Sequence, residues 1–335
     1  MSLPILQAPM AGVQGVALAL AVGRAGGIGS LPAAMMSSEP LVASLRQLDA
    51  AKAAYNVNFF AHTPREPDER LQRWADSLAA YREEFGVREV ASMGSERRPF
   101  GEEALAAVTT ASPTIVSFHF GLPAKPLLAE LKRRLPDTFI ASTATTVDEA
   151  RWLEENGAQM VVAQGWEAGG HRGHFLSDDL SLHLPTRELV AAIRAAVRLP
   201  VIAAGGITTP AQVRAALAAG ASAVQCGTAF LLADEAATPD LHRTAIEQPH
   251  ETVVTTVMTG RPARGIPNRL IRDLGETPDD LPGYPHTAGP LAPLRAAAEA
   301  RGRTDFTPLW CGANTDSVRR GAAEDIVARL MGEKI

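Results

Sequence analysis

Short apolar runs alternate along this chain with longer amphipathic segments that are rich in alanine. Most of the runs are apolar at nearly every position, which is the pattern of strands that are buried on both faces of a sheet. They predict eight strands, at residues 4–7, 27–31, 55–59, 114–118, 139–142, 160–164, 200–204 and 223–226. The segments between them predict helices, among them 39–48, 68–85, 125–135, 147–156, 186–197 and 210–219.

The repeated order of strand and helix predicts a (β/α)8 TIM barrel, in which eight parallel strands close into a cylinder surrounded by helices. An open doubly wound sheet is the alternative, and its first loop normally reads G-x-G-x-x-G. The loop after the first predicted strand reads PMAGVQ at residues 9–14, which does not match. We therefore predict an α/β protein of the barrel type.

The alternation is lost between residues 233 and 300, where nine prolines crowd the chain. Proline lacks a backbone N–H group and interrupts both helices and strands. We predict an irregular excursion after strand eight that covers the mouth of the barrel as a lid or substrate-covering segment. Residues 1–232 and 301–335 then make up the barrel, and the chain returns to it through a final helix near residues 316–331.

The first 22 residues carry no charged side chain, and their length would allow a signal peptide or a membrane span. Prolines and glycines interrupt this stretch, and no basic residue precedes it. We therefore predict a buried strand, a turn and a packed helix here, and no membrane segment.

The amino-acid composition argues against several classes of protein function. The 335 residues are 46% hydrophobic and 21% charged, as is usual for soluble globular proteins. The 32 Lys and Arg against 37 Asp and Glu give a net charge of −5, which argues against nucleic-acid binding. The two cysteines form no C-x-x-C pair, so we expect a cytoplasmic protein without disulfides. Its oligomeric state stays open, with a homo-oligomer among the alternatives.

Two glycine-containing loops predict a phosphate site. The active site of a TIM barrel lies where strands end and the loops to the helices begin. Strand seven leads into Gly205 and Gly206, and strand eight ends in the sequence QCGT at residues 225–228. Glycine lets backbone N–H groups approach an anion closely, and a following helix adds a favourable dipole. Because the loops after strands seven and eight form the usual phosphate site of this fold, we predict a phosphate-bearing ligand.

The loop after strand six carries a candidate catalytic group. Gln164 leads into paired glycines, and His171 follows them. Histidine titrates near neutral pH, so His171 is a candidate proton acceptor or hydrogen-bond donor. His174, three residues later, is expected at the surface.

Further polar side chains end other strands, with Asn58 after strand three and His119 after strand four. Amide, hydroxyl and imidazole groups with few carboxylates suit a flat polar heterocycle better than a divalent metal, so no metal is predicted. Cys226 lies within the last strand, where a thiol usually behaves as a small buried hydrophobe, although a nucleophilic role is the alternative.

Several stretches resemble the bacterial nitronate monooxygenases, formerly called 2-nitropropane dioxygenases. They include QAPMAG at 7–12, AGGIGSL at 25–31, NVNFF at 56–60, SFHFGLP at 117–123 and QGWEAGGHRG at 164–173. The resemblance continues in AAGGI at 203–207, QCGT at 225–228, GRPARG at 260–265 and DFTPLW at 305–310. The stretches occur in the family's order along nearly the whole chain, and together they are specific.

This resemblance implies a TIM barrel with non-covalently bound FMN that oxidises alkyl nitronates with O2, with nitroalkanes as a further candidate substrate. The products would be a carbonyl compound and nitrite. It implies that His171 is the active-site histidine and that the loop of Met10, Ala11 and Gly12 approaches the reactive edge of the flavin. We place His119 among the substrate contacts. The implied FMN contacts are Asn58, Gln164, Gly169, Gly206, Gln225, Cys226, Gly227 and Thr228.

Two other functions stay open at this point. Related barrels use the same cofactor cradle, so an FMN-dependent NAD(P)H:quinone or enoyl reductase is an alternative. A barrel that binds a phosphate ligand without redox chemistry, such as an isomerase or a binding protein, is another.

Overall fold

The structure is a computed structural model that describes residues 3–88 and 97–333. All eight strands predicted from the apolar runs are present, with ends that differ by up to two residues from those predicted. The strands are β1 (Ile5–Gln7), β2 (Gly29–Pro32), β3 (Tyr55–Phe60), β4 (Ile115–His119), β5 (Phe139–Ala144), β6 (Met160–Gln164), β7 (Gly170–His171), β8 (Val201–Ala204), β9 (Ala223–Cys226), β10 (Val253–Thr255), β11 (Ala263–Ile266) and β12 (Leu309–Trp310).

The predicted (β/α)8 barrel is confirmed. Parallel strands follow one another in the spatial order β1-β9-β8-β6-β5-β4-β3-β2. The ends of this sheet meet at a parallel bridge between Leu6 and Ile28, where the N–H of Ile28 donates to the carbonyl of Ile5 at 2.9 Å. The sheet therefore closes on itself through β1 and β2.

The strands are apolar along their length because each is covered on both sides. Inside the barrel, small and branched side chains such as Leu6, Ile115, Val162 and Ile202 pack together, each no more than 3% exposed. Outside it, the alternate strand residues pack against the surrounding helices. Burial of each large aliphatic side chain stabilises the fold by about 1.5–3 kcal/mol.

Helices form in the chain segments between the strands, as the amphipathic pattern predicted. They are α1 (Val16–Arg24), α2 (Ser38–Ala50), α3 (Arg70–Ser77), α4 (Ala79–Phe85), α5 (Glu102–Val108), α6 (Lys125–Arg134), α7 (Val147–Glu155), α8 (Thr186–Ala196), α9 (Pro210–Ala218), α10 (Asp240–Glu247), α11 (Arg269–Leu274), α12 (Ala288–Glu299) and α13 (Ala323–Met331). The predicted single helix 68–85 is two helices that meet at Leu78.

The uncharged N-terminal stretch forms β1, a turn and α1, as predicted for its described residues. Across residues 3–88 and 97–333, every helix is too short or too polar to cross a bilayer.

The excursion after β9 is more regular than expected. Residues 233–300, predicted to be irregular, contain α10, α11 and α12 and two strands of a second sheet. In this cap sheet the antiparallel strand β11 pairs with β10, β12 and β7. Short elements are compatible with the prolines because most of the nine lie in loops, although Pro290 and Pro293 lie within α12.

The cap sheet also changes the expected boundary of the barrel. Its strand β12 lies at residues 309–310, a part of the chain that we assigned to the barrel, and the final helix α13 begins seven residues later than expected. The helices α3 and α4 pack on the same unit, since Trp74 and Phe85 share an apolar cluster with Leu294 and Phe306. We call residues 253–310 together with α3 and α4 the cap.

Candidate active site

A cavity of about 310 Å³ opens at the carboxyl ends of the barrel strands, beneath the cap. Nearly all the site residues predicted from the sequence meet there. They are Met10, Ala11, Gly12, Asn58, His119, Gln164, Gly169, His171, Gly206, Gln225, Gly227 and Thr228. Over residues 3–88 and 97–333, no Asp or Glu lines this cavity, whereas Arg97 and Arg295 do.

Cys226 was predicted to contact FMN, but it is the one predicted site residue that does not line the cavity. The cavity is lined by its neighbours Gln225 and Gly227 but not by Cys226, which is 1% exposed within the apolar cluster outside the barrel. Successive side chains of a strand point to opposite faces, so Gln225 and Cys226 cannot both face inward. Burial raises the pKa of the Cys226 thiol to about 12, so the thiol stays protonated and is a poor nucleophile. Its side chain also does not line the cavity.

The loops after β8 and β9 offer backbone donors to the cavity. The N–H groups of Gly206, Gly227 and Thr228 have no hydrogen-bond partner in the described parts of the chain. Gly206 adopts a φ of +64°, and a Cβ there would lie 2.7 Å from Nδ2 of Asn314, which itself donates to the Gly206 carbonyl at 2.7 Å. Asn314 therefore holds this loop, a role that no pattern in the sequence indicated.

The start of α9 is less open to an anion than its sequence suggested. Thr209 and Gln212 form a capping box, as expected for the N-cap threonine. The Gln212 carboxamide oxygen accepts from the N–H groups of both Thr208 and Thr209, at 2.9 and 3.0 Å. The free donors of this region are consequently those of the glycine loops.

The two predicted amide side chains are both held by the protein. Asn58 donates through Nδ2 to Oγ of Ser117 at 2.9 Å. Gln164 donates through Nε2 to the carbonyl of His171 at 2.9 Å and accepts at Oε1 from the N–H of Gly173 at 2.8 Å. Gln164 thus bridges the end of β6 to the loop that carries His171.

His171 lies on strand β7, so its place is set by the cap sheet as well as by the barrel. Its backbone pairs with Ala263 of β11. The ring lies between Tyr284 and Trp310, with ring centres 5.6 and 5.8 Å away, and its Nε2 is 2.9 Å from Oγ1 of Thr259. The ring hydrogen bond of His171 within the described residues is at Nε2, and Nδ1 is left without a partner there.

His171 is neutral at ordinary pH. Burial lowers its pKa well below the usual value, and the nearby Arg97, His119 and Arg261 lower it further. Arg261 stacks on the Phe120 ring, with its guanidinium carbon 4.0 Å from the ring centre. A neutral imidazole that faces a cavity beside two guanidinium groups can accept a proton, and an anion formed there is stabilised.

Both ring nitrogens of His119 are occupied by hydrogen bonds within the protein. Its Nε2 lies 3.2 Å from the carbonyl of His171, which can only accept, so Nε2 carries the proton. Its Nδ1 then accepts from the hydroxyl of Thr143 at 3.0 Å. Burial lowers the pKa of His119 to about 3, and both its ring nitrogens are engaged by the protein.

A buried network lies behind the loop after β6. Arg172 is 0% exposed and donates to the carbonyls of Gln164 and Gly165 at 3.0 and 2.7 Å. His174, expected at the surface, is 2% exposed, because the loop folds back beneath the cap, where Arg261 donates to its carbonyl. Among the described residues, no group of three or more His, Cys, Asp or Glu has the placement to hold a metal ion.

Comparison with known proteins agrees with this geometry. The profile of the nitronate monooxygenase family matches residues 1–333. The chain belongs to this family. Nitronate monooxygenase of Pseudomonas aeruginosa is 39% identical over 98% of this chain and 95% of its own length. That of Paraburkholderia phytofirmans is 38% identical over 98% and 92%.

Solved structures agree with membership of the nitronate monooxygenase family. The nitroalkane oxidase of Streptomyces ansochromogenes matches with a TM-score of 0.90 and 37% identity, over 99% of this chain and 95% of that one. FabK of Thermotoga maritima matches with a TM-score of 0.74 over 99% and 92%, but its 24% identity shows the shared barrel fold alone. As a member of the nitronate monooxygenase family, this chain is an oxidoreductase.

Proposed function

We propose that this protein is an FMN-dependent enzyme that oxidises alkyl nitronates with O2 to a carbonyl compound and nitrite. The observation that carries the proposal is the cavity of the barrel, which is free of carboxylates in its described lining and contains a neutral histidine beside cationic groups. The two relatives described above are named nitronate monooxygenases, which supports a nitronate as the substrate.

The loops after β8 and β9 fit the phosphate of FMN. Three unpartnered N–H groups, those of Gly206, Gly227 and Thr228, line the cavity there. Unpaired backbone donors in a largely buried site are costly, and a phosphate would satisfy them. The Thr228 hydroxyl accepts from the N–H of Gly312 at 2.8 Å, which holds Thr228 in place from the other side.

The remaining lining fits a flat heterocycle. The loop of Met10, Ala11 and Gly12 forms one wall, and Asn58 and Gln225 present amide groups that can hydrogen-bond ring heteroatoms. When bound, FMN would supply the redox chemistry, and the protein would supply position and electrostatics. The Gln164 amide is already engaged in the His171 loop, so its part in FMN binding would be limited to its second Nε2 hydrogen and the second lone pair of Oε1.

The chain's own groups would bind and prepare the substrate. A nitronate is an anion, and Arg97 in the lining together with the nearby Arg261 favours its entry. Nδ1 of His171 would accept the α-proton of a neutral nitroalkane. His119 would act through the His171 carbonyl, although the sequence suggested a direct contact with the substrate.

The cap would cover the bound substrate. Arg295, Thr307, Pro308 and Trp310 of the cap line the cavity, and so does His242, which lies outside the cap. The strand that carries His171 pairs with β11 of the cap sheet. We therefore infer that the cap is joined to the loop that carries His171. The cap could then not move away from the cavity without displacing His171.

Oxygen uptake with a panel of pre-ionised nitronates tests the proposal, with NADH as the control substrate. We expect the purified protein to be yellow, to contain FMN, and to consume O2 with nitronate and release nitrite. In anaerobic mixing, nitronate should bleach the flavin and NADH should not. Flavin reduction by NADH alone would instead make the protein a reductase, and a colourless protein that takes up no FMN would contradict both activities.

A further inference from the structure

The hydroxyl of Thr259 connects the ring of His171 to the backbone of the cap. Oγ1 of Thr259 lies 2.9 Å from Nε2 of His171 and 3.3 Å from the carbonyl oxygen of Arg261. Thr259 is 3% exposed and lies in the loop between β10 and β11. No motif in the sequence marked it, although it directly precedes the GRPARG stretch.

The hydrogen-bond count selects one tautomer of His171. The Arg261 carbonyl can only accept, and the Thr259 hydroxyl is its sole hydrogen-bond donor within the described residues. If Nε2 of His171 carries the ring proton, it donates to Oγ1, and the hydroxyl donates onward to the carbonyl, so both bonds form. If Nδ1 carries it, the hydroxyl must donate to Nε2, and the carbonyl is left unpaired. Leaving this partly buried acceptor unpaired is unfavourable, so the first arrangement is preferred.

Packing holds the Thr259 hydroxyl in this place. The next residue, Gly260, has a φ of +78°, and a Cβ there would lie 2.4 Å from the carbonyl oxygen of Pro282. The N–H of Gly260 donates to the carbonyl of Thr256 at 2.8 Å. The backbone that follows Thr259 is therefore packed closely against residues 282–284, which restricts movement of this loop towards them.

The backbone of His171 is held independently of its ring. Its carbonyl accepts from Nε2 of Gln164 at 2.9 Å and from Nε2 of His119 at 3.2 Å. With the backbone and Nε2 both held, the unpartnered Nδ1 is the nitrogen left for a molecule in the cavity that His171 lines.

We propose that Thr259 is a positioning residue that keeps His171 as the Nε2–H tautomer, so that Nδ1 is the base for neutral nitroalkanes. The inference rests on the proposed function. In this step the lone pair of Nδ1 takes the α-proton, and the C–H electron pair becomes the C=N bond of the nitronate. The negative charge moves to the nitro oxygens, and His171 becomes an imidazolium whose Nε2–H bond to Thr259 is strengthened by the charge.

The test compares Thr259→Val, which removes the hydroxyl at nearly constant shape, with the matched control Thr259→Ser, which keeps it. With a neutral nitroalkane we expect kcat of the valine variant to fall roughly 10-fold, the equivalent of one lost hydrogen bond. The serine variant should stay within about twofold of the wild type. With the pre-ionised nitronate both variants should match the wild type, because that substrate needs no base.

Nitrogen-15 NMR of the histidine-labelled, flavin-loaded protein gives a readout that does not depend on turnover. The His171→Asn variant identifies the signals of His171. In the wild type and in Thr259→Ser we expect a protonated Nε2 and an unprotonated Nδ1, and in Thr259→Val a mixture of both tautomers.

Three results would overturn the inference. They are a protonated Nδ1 in the wild type, an unchanged tautomer in Thr259→Val, and equal losses of that variant on nitroalkane and nitronate. If Thr259→Val does not fold, the wild-type and serine spectra still decide the tautomer. Absence of nitronate turnover in the wild type would contradict the proposed function, whereas the NMR result would stand separately.

Discussion

Gly227 is the position at which the FMN cradle can be tested with least disturbance of the fold. Its backbone φ is −106°, which any residue can adopt, and a Cβ there would lie 3.3 Å from Cβ of Ala8 and 3.6 Å from Sδ of Met10. Both neighbours line the cavity, so the methyl groups of Gly227→Val would occupy space next to the phosphate donors. Gly206 is less suitable, because its φ of +64° would strain any larger residue and its Cβ would meet Asn314.

The expected loss of FMN affinity follows from the donors that would be blocked. Displacement of the phosphate from the N–H groups of Gly227 and Thr228 removes two hydrogen bonds to a charged group, each worth about 1.5–3 kcal/mol. The sum of about 3–6 kcal/mol corresponds to a Kd for FMN that is roughly 10²–10⁴-fold weaker. The cost to folding should be much smaller, about 1 kcal/mol, because one close contact with Ala8 must relax.

Fluorescence titration of the apoprotein with FMN measures the first effect, and the Tm of the apoprotein measures the second. Gly101→Val is the matched control, since Gly101 has an extended φ of −139° and does not line the cavity, and a Cβ there would have no neighbour closer than 3.9 Å. We expect the control to bind FMN as the wild type does. Wild-type FMN affinity in Gly227→Val would refute the placement of the phosphate at these loops.

Three further predictions concern single side chains. His171→Asn should keep FMN, and its activity should fall roughly 10²–10⁴-fold with neutral nitroalkanes but much less with nitronates, as steady-state O2 uptake would show; equal losses would mean that His171 binds the anion and is not a base. Because burial and neighbouring cations lower the pKa of His171, its basic form persists as pH falls, so the wild-type nitroalkane rate should be flat above neutrality and decline only below about pH 6.5; a decline centred above about pH 7 would contradict a lowered pKa. Cys226→Ser should lower unfolding free energy by about 1–3 kcal/mol in denaturant titration, because it buries a hydroxyl in an apolar cluster, and should leave FMN affinity unchanged; weakened FMN binding in the folded variant would return Cys226 to the cofactor site.

The eight barrel strands and most of the cavity lining could be predicted from the sequence because both depend on local patterns. Runs that are apolar at every position mark strands covered on both faces, and a parallel barrel brings all their carboxyl ends to one side. Gly206, Gly227 and Asn58 therefore had to lie near one another once the strands were assigned. Cys226 was misplaced, although strict alternation with Gln225 already pointed it outward.

The surroundings of His171 depended on contacts between residues far apart in the chain. His171 pairs with Ala263, its Nε2 meets Thr259, and its pKa is lowered by Arg97 and Arg261. Hydrophobic periodicity carries no information on such pairings, because the short strands β7 and β12 have only two residues each. The sequence by itself determined the barrel and the loops that face its cavity, whereas only the tertiary structure decided which nitrogen of the histidine is free and which groups surround it. The physical reason is that the burial of a strand shows in the pattern of residues that are adjacent in the sequence. The tautomer and charge state of a buried side chain depend instead on residues that the fold brings next to it from elsewhere in the chain.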